Sequence, residues 1–179
     1  MFNYKRRESS ETLVGKVALG AKNPIRIQSM TNTNTMNTEK SVQQAILIAE
    51  EGGELVRLTA QGTREAENLK EIHSLLREKG YDTPLVADIH FNPKAAEVAA
   101  QYVEKVRINP GNFANGGIEE IEKKLIPLLD ICKKHQTAIR IGVNHGSLSS
   151  RILDKYGDTP QGMVVSAMEF LRLCRKYDF

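Results

Sequence analysis

The chain is poor in cysteine. It has two, Cys132 and Cys174, far apart in sequence, each on an apolar stripe of an expected helix and neither in a Cys-x-x-Cys or Cys/His cluster. A disulfide framework and a zinc-type ligand set are set aside, and two buried thiols in a reducing compartment are expected. Long apolar runs are also missing. The basic N-terminus MFNYKRRESSET is followed by no stretch long enough for a signal peptide, and no later one could span a bilayer. A cytoplasmic protein without membrane contact is therefore expected. No charge sign dominates. The 25 Lys and Arg against 22 Asp and Glu leave +3, mostly alternating along helix faces, which argues against nucleic acid as a partner. No Gly-x-Gly-x-x-Gly follows the first expected strand, which argues against a dinucleotide fold. What is present, 179 residues with 40% hydrophobic and 26% charged, suits one globular unit with one core.

Taken in order, Thr12 to Leu19 alternates weakly and ends at Gly20, which predicts a short hairpin or plug ahead of the main fold. Pro24 to Ser29 predicts the first inner strand. Thr38 is expected to cap a helix carrying Val42, Ala45, Ile46 and Ala49 at helical spacing, with Gly52-Gly53 as its stop. Glu54 to Leu58 is the second strand. Thr63 is expected to cap a helix with the stripe Ala66, Leu69, Ile72 and Leu76 and a stop at Gly80. Pro84 to Asp88 is the third strand, and Asn92-Pro93 opens a helix through about Gln101. Lys105 to Ile108 is the fourth strand. A glycine loop, Gly111 to Gly117, precedes a helix through Cys132 that Pro127 should kink. Thr137 to Gly142 is the fifth strand. A helical turn around Leu148 to Lys155 leads to Thr159-Pro160 and a last helix with Met163, Ala167, Phe170, Leu171 and Cys174 on its inner side.

Five strand-helix units, each about 30 residues long, predict an α/β fold with parallel strands and right-handed crossovers. Polar residues recur at every strand end instead of at one switch point. An incomplete (β/α)8 TIM-type barrel of about five βα units is therefore expected over an open doubly wound sheet. The first and fifth strands are then raw edges. Such edges, over an unfilled interior, predict that the chain dimerises or aggregates.

The stretch PLVADIHFN, Pro84 to Asn92, and its echo VRINPGN, Val106 to Asn112, each begin as a buried strand and end with polar groups two residues apart. Side chains alternate across a strand, so Asp88 and His90 share one face, as do Arg107 and Asn109. Arg57 and Arg140, with Asn144, end neighbouring strands on matching parity, so one barrel face gathers them all. Three arginines face one evident carboxylate. Buried guanidinium groups need partners and their fork suits phosphate oxygens, which points to an anionic, phosphorylated ligand. The competing reading ties the arginines to carbonyls and helix-borne glutamates as framework. Gly111, Gly116 and Gly117 either let backbone amides approach an anion or form a plain flexible loop. His90 is a proton donor, a ligand clamp or a satisfied structural histidine. His73 and His135 read as surface or capping residues, and His145, beside Asn144, as a further site candidate.

With IQSMTNT, VRLT, PLVADIHFN, VRINPGN and IRIGVNHGSLSSRIL in this order and spacing, the chain resembles the 4-hydroxy-3-methylbut-2-enyl diphosphate synthase family of the methylerythritol phosphate route to isoprenoids, from about Gly15 to the last residue. NHGSLS, followed by YGD and GMVVSAMEF, is most similar to the large form of that enzyme. That form carries an inserted domain and occurs in plants and some bacteria; without a transit peptide, a bacterial source is expected. The resemblance implies reductive ring opening of 2-C-methyl-D-erythritol 2,4-cyclodiphosphate. It implies that Arg57, Arg107 and Arg140 hold the diphosphate with Asn109 and Asn144, while Asp88 and His90 line the substrate side. It further implies a [4Fe-4S] cluster in a C-terminal domain, two electrons from ferredoxin or flavodoxin, and a homodimer. Residues 1–179 are expected to be the N-terminal part of the barrel domain, ending before the last barrel strands, the inserted domain and the cluster cysteines. Neither Cys132 nor Cys174 is then an iron ligand, and the chain alone is expected to be inactive. Two other classes remain, a transferase barrel resembling dihydropteroate synthase and a non-catalytic anion-binding or assembly module.

Overall fold

The computed structural model describes residues 7–179, and the basic residues up to Arg6 lie outside the described residues. An antiparallel hairpin of β1 (Thr12–Val14) and β2 (Val17–Leu19) precedes a five-stranded parallel sheet. Its strands are β3 (Gln28–Met30), β4 (Leu55–Ala60), β5 (Leu85–Ile89), β6 (Lys105–Ile108) and β7 (Ala138–Ile141). Helices α1 (Thr38–Glu50), α2 (Thr63–Glu78) and α3 (Pro93–Ala99) follow the first three. A short α4 (Pro110–Phe113) and long α5 (Ile118–His135) follow the fourth, and α6 (Ser150–Tyr156) and α7 (Pro160–Lys176) follow the fifth. The strands lie side by side in chain order, 3-4-5-6-7, all parallel. An order without reversal is that of a barrel wall, not of a doubly wound sheet. The expected incomplete barrel of five βα units is the architecture found.

The alternation of side chains gives the wall two different faces. Val56, Leu58, Ala60, Leu85, Ala87, Ile89, Val106 and Ile108 point outward and pack against Val42, Ala45, Leu69, Ile72, Ala96, Leu125 and Leu128 of the helices. The inward residues Leu55, Val86 and Ala138 close instead on Val14 of the hairpin, with Val17 and Leu19 beside them. The hairpin is thus the plug expected from the sequence, seated at the N-terminal end of the barrel interior. Val14 is fully buried there, a burial worth about 1.5–3 kcal/mol.

Several local expectations are corrected. The first strand starts at Gln28, not Pro24, and Ile25 is 93% exposed. Ahead of Gln28, the Ile27 backbone N–H donates to the Glu54 carboxylate at 2.9 Å while Arg26 pairs with that carboxylate at 2.7 Å, so a side chain takes the N–H while the Ile27 carbonyl still accepts from the Glu54 backbone. The cap of α1 is Asn37, which accepts from the Lys40 N–H, and that of α2 is Gly62, whose N–H donates to Glu65. Thr38 and Thr63 are first helical residues. Asn92 and Thr159 cap α3 and α7 as expected, although α3 ends at Ala99. Helix α5 continues through Pro127 as one element. The inner side of α7 is Gly162, Ser166, Phe170, Leu173 and Cys174; Leu171 is exposed.

His73 is not a bare surface residue either. Its Nε2 lies 3.0 Å from Glu104, which also accepts from Arg77 at 2.7 Å and from the Leu85 backbone N–H at 2.7 Å. This network ties α2 to the starts of β5 and β6. Burial opposes the Glu104 charge, yet the hydrogen bonds from His73 and Leu85 and the nearby charges of His73 and Arg77 hold its carboxyl below the usual carboxylate value. A depressed carboxyl stabilises the fold above its unfolded pKa, and that stability is lost as pH falls through the folded pKa. Urea unfolding at pH 7 should show Glu104→Gln less stable by about 1.5–3 kcal/mol, the range for hydrogen bonds to charged groups. The gap to the parent should shrink as pH drops below about 4, whereas a gap that is constant with pH would separate the loss from the charge.

Candidate anion-binding site

Two hydrogen-bonded rows on the inner face build the site. In strand register, Met30, Arg57, Val86, Lys105 and Ala138 form one row, and Thr59, Asp88, Arg107 and Arg140 form the next toward the C-terminal rim. Rows two residues apart along a strand are separated by about 6–7 Å, a span an arginine covers. Arg57 does so: its Nη2 donates to Asp88 Oδ2 at 2.5 Å. Arg107 Nη1 donates to Asp88 Oδ1 at 3.2 Å, and His90 Nε2 lies 3.3 Å from Oδ2. Asp88 itself is 2% exposed. One buried carboxylate thus sits between two guanidinium groups and an imidazole, and Arg57, Asp88, His90 and Arg107 are brought together as the sequence pattern expects.

The backbone around them is shaped for this. Arg107 Nη2 donates to the Gly142 carbonyl at 2.7 Å, and a Cβ on Gly142 would meet Arg107 Nε at 2.2 Å; only glycine lets the guanidinium lie there. Asn109 caps α4 through Oδ1, which accepts from the Gly111 N–H at 3.3 Å, while its Nδ2 donates to Ser147 Oγ at 2.6 Å. A Cβ on Gly111 would meet the Ser147 carbonyl oxygen at 1.8 Å, so the loop after β7 rests directly on this turn. The start of the Gly111–Gly117 segment is thus a helical turn capped by Asn109, while 114–117 is irregular. The Glu120 carboxylate lies where a Gly116 Cβ would point.

Arg140 and Asn144 stand apart from the Asp88 cluster. Arg140 is aligned with Arg107 in register but is exposed, and no carboxylate pairs with it among the described residues. Asn144 is exposed, and its backbone carbonyl, not its side chain, accepts from the Ser147 N–H. His145 Nδ1 meets Asp158 at 3.2 Å on the surface, outside the cluster, and His135 is exposed at the end of α5.

Sequence reasoning missed Lys105. It lies two residues before Arg107 on the same face, is 6% exposed, and donates from Nζ to Gln28 Oε1 at 3.2 Å across the barrel interior. Burial, and then the positive charges of Arg140 and Arg57, lower its pKa to about 8. The period-two parity that links Arg107 to Asn109 extends back to it, but a lysine at a strand start is normally solvated and carries no local sign of burial. The inner face therefore carries Arg57, Lys105, Arg107 and Arg140 against the single carboxylate of Asp88. Within the cluster, Arg57 Nε is buried with no hydrogen-bond partner. Such a surplus can hold an anion with more than one charged oxygen.

The cysteines do not suit a metal or cluster. Cys132 and Cys174 lie on the helix side of the sheet, buried and free. Burial, with Cys174 nearby, pushes the Cys132 thiol up to about 12, and burial also raises that of Cys174. Neither readily forms the thiolate that metals bind. Among the described residues no three His, Cys, Asp or Glu side chains are grouped to hold a metal ion.

Residues 9–179 match the family model described as GcpE TIM-barrel domain. The chain belongs to that family. Similar curated proteins include 4-hydroxy-3-methylbut-2-en-1-yl diphosphate synthase (flavodoxin) of Phocaeicola vulgatus, 63% identical over 97% of this chain, and that of Bacteroides thetaiotaomicron, 59% identical over 97%. The chloroplastic ferredoxin-type synthase of Oryza sativa is 45% identical over 100% of this chain. The chain spans 31%, 31% and 26% of these three relatives. Among solved structures, phospho-2-dehydro-3-deoxyheptonate aldolase of Thermotoga maritima superposes with a TM-score of 0.61 at 15% identity, covering 93% of this chain and 43% of its own. That likeness shows the fold. Because Asp88 pairs with both Arg57 and Arg107, Asp88→Asn should leave two largely buried guanidinium groups without a carboxylate. Losing one partner of a buried pair costs about 3–5 kcal/mol, and urea unfolding should show a loss of that size. Unchanged stability would mean that Asp88 does not hold the arginines.

Proposed function

We propose that this GcpE barrel is the substrate-binding portion of an oxidoreductase that converts 2-C-methyl-D-erythritol 2,4-cyclodiphosphate to 4-hydroxy-3-methylbut-2-enyl diphosphate by two-electron reductive ring opening. The observation that carries the reading is the charge imbalance of the inner face, where Arg57 and Arg107 share one carboxylate and Lys105 and Arg140 have none. High identity to relatives bearing one enzyme name favours it over the pterin-type transferase and over a non-catalytic anion module.

In this proposal Arg57, Arg107 and Arg140 hold the diphosphate, with Asn109 and Asn144 at the rim. Asp88 has a second task besides ligand contact. By bonding both Arg57 and Arg107 it fixes the two forks before the ligand arrives, so less side-chain freedom is lost on binding. His90, half-exposed beside Asp88 and edge-on to the exposed Phe91, lines the substrate side where the carbon skeleton would lie. Cys132 and Cys174 do not fit a [4Fe-4S] cluster, so the proposal assigns the cluster to parts of the enzyme that this chain does not cover. Ferredoxin or flavodoxin as donor, a homodimer, and a bacterial cytoplasmic setting complete it. Among the described residues no helix is long and apolar enough to cross a membrane.

Titration calorimetry at pH 7 should show saturable binding of the cyclodiphosphate to the chain. Arg107→Ala should weaken it by about 1.5–3 kcal/mol, the range for a hydrogen bond to a charged group. A titration that saturates with a pterin and not with the cyclodiphosphate would overturn the assignment. The purified chain should also show neither iron-sulfur absorbance nor turnover; either signal would contradict the placement of the cluster outside it.

A further inference from the structure

Lys105 takes no part in the Asp88 cluster, and its one bond, to Gln28, leaves its charge without a counter-ion among the described residues. It lies inward from β6, in the row of Arg57 and one row beneath Asp88, Arg107 and Arg140. Its ammonium is buried, yet no carboxylate pairs with it among the described residues, and its recorded partner is the neutral Gln28 side chain of β3. The groups that face it are mostly positive or neutral. Arg57 comes from β4, Asp88 from β5, Arg107 from its own strand and Arg140 from β7. Asp88 is already engaged by Arg57 and Arg107. From the hairpin side Ser10, Thr12, Val14 and Leu19, none charged, line with Lys105 and Arg140 a cavity of about 280 Å³. A structural lysine would be expected to find an acid or reach solvent; this one has no acid among the described residues and is only 6% exposed.

We propose that Lys105 is the proton-coupled floor of the anion site, recharged from solution when a diphosphate-class ligand seats in the arginine layer above it. The inference rests on the reading of the inner face as a diphosphate site. Its physical basis is reciprocity: Arg57 and Arg140 repel a proton on Lys105, and an anion that neutralises them restores it. The direction follows from the lowered pKa of about 8. Below that value the amine is already charged in the empty site, and binding takes up little. Above it the amine is neutral until the ligand arrives, so binding draws in a proton and weakens as pH rises.

The test is titration calorimetry of the full chain with the cyclodiphosphate at pH 7 and pH 9, each in two buffers of different ionisation enthalpy. This ligand is a suitable probe because a cyclic diphosphate has no weakly acidic second phosphate proton in that range. Proton uptake should rise from about 0.1 at pH 7 to about 0.9 at pH 9, with affinity falling about tenfold. Lys105→Arg, charged throughout, should bind without uptake and without the tenfold fall, and Lys105→Met should bind weakly and independently of pH. Binding at pH 7 with no uptake at pH 9, or uptake that persists in both variants, overturns the role of Lys105 alone. Absence of binding at both pH values overturns the diphosphate reading and this inference with it.

Discussion

The arrangement depends on one shared carboxylate. Asp88 is buried at the meeting point of β4, β5 and β6, and bonds Arg57 on one side and Arg107 on the other. Without it, two guanidinium groups on the strands either side of β5 would repel inside a poorly solvated space; with it, they are held in fixed directions at the barrel rim. A single negative charge cannot neutralise four nearby positive ones, so the same interaction that orders the site leaves it electrostatically incomplete. The balance differs from that at the opposite end of the barrel. There Glu104 gathers His73, Arg77 and the Leu85 N–H into a closed network. One end is locked by an acid with enough donors, and the other is left with donors to spare.

The two faces of the wall divide the work. Outward residues of β4, β5 and β6 are uninterrupted Val, Leu, Ile and Ala and carry the helices. Inward residues mix apolar and charged side chains, Leu55, Val86 and Ala138 closing on Val14 while Arg57, Lys105, Asp88, Arg107 and Arg140 carry the charge. The plug matters to the site because it covers the base of the interior, where Lys105 is left only 6% exposed. Low local dielectric lengthens the reach of every charge above it.

Much of this was legible in the sequence because strands write their faces with period two. Asp88 with His90, and Arg107 with Asn109, could be paired by counting, and the repeat of strand and helix set the barrel and its plug. What could not be counted was how far each side chain reaches. Arg140 shares the parity of Arg107 yet is exposed, since exposure depends on what stands beside the edge strand β7. Lys105 obeys the same parity and was missed, because a lysine at a strand start is normally solvated and nothing local says that the hairpin will cover it. Pro24 to Ile27 has strand-like residues, but the Glu54 carboxylate takes the Ile27 N–H. At Thr38 and Thr63 good capping residues lost to their neighbours, Asn37 and a Gly62–Glu65 pair. The Glu104 network was beyond reach because its members come from three elements.

The most direct measurement is a crystal structure of the chain with the cyclodiphosphate bound. The account predicts diphosphate oxygens within hydrogen-bond distance of Arg57, Arg107 and Arg140, above Lys105, with Asp88 still bridging Arg57 and Arg107. A ligand bound on the helix side of the sheet, or lumen arginines that turn to carboxylates of the chain instead, would contradict it.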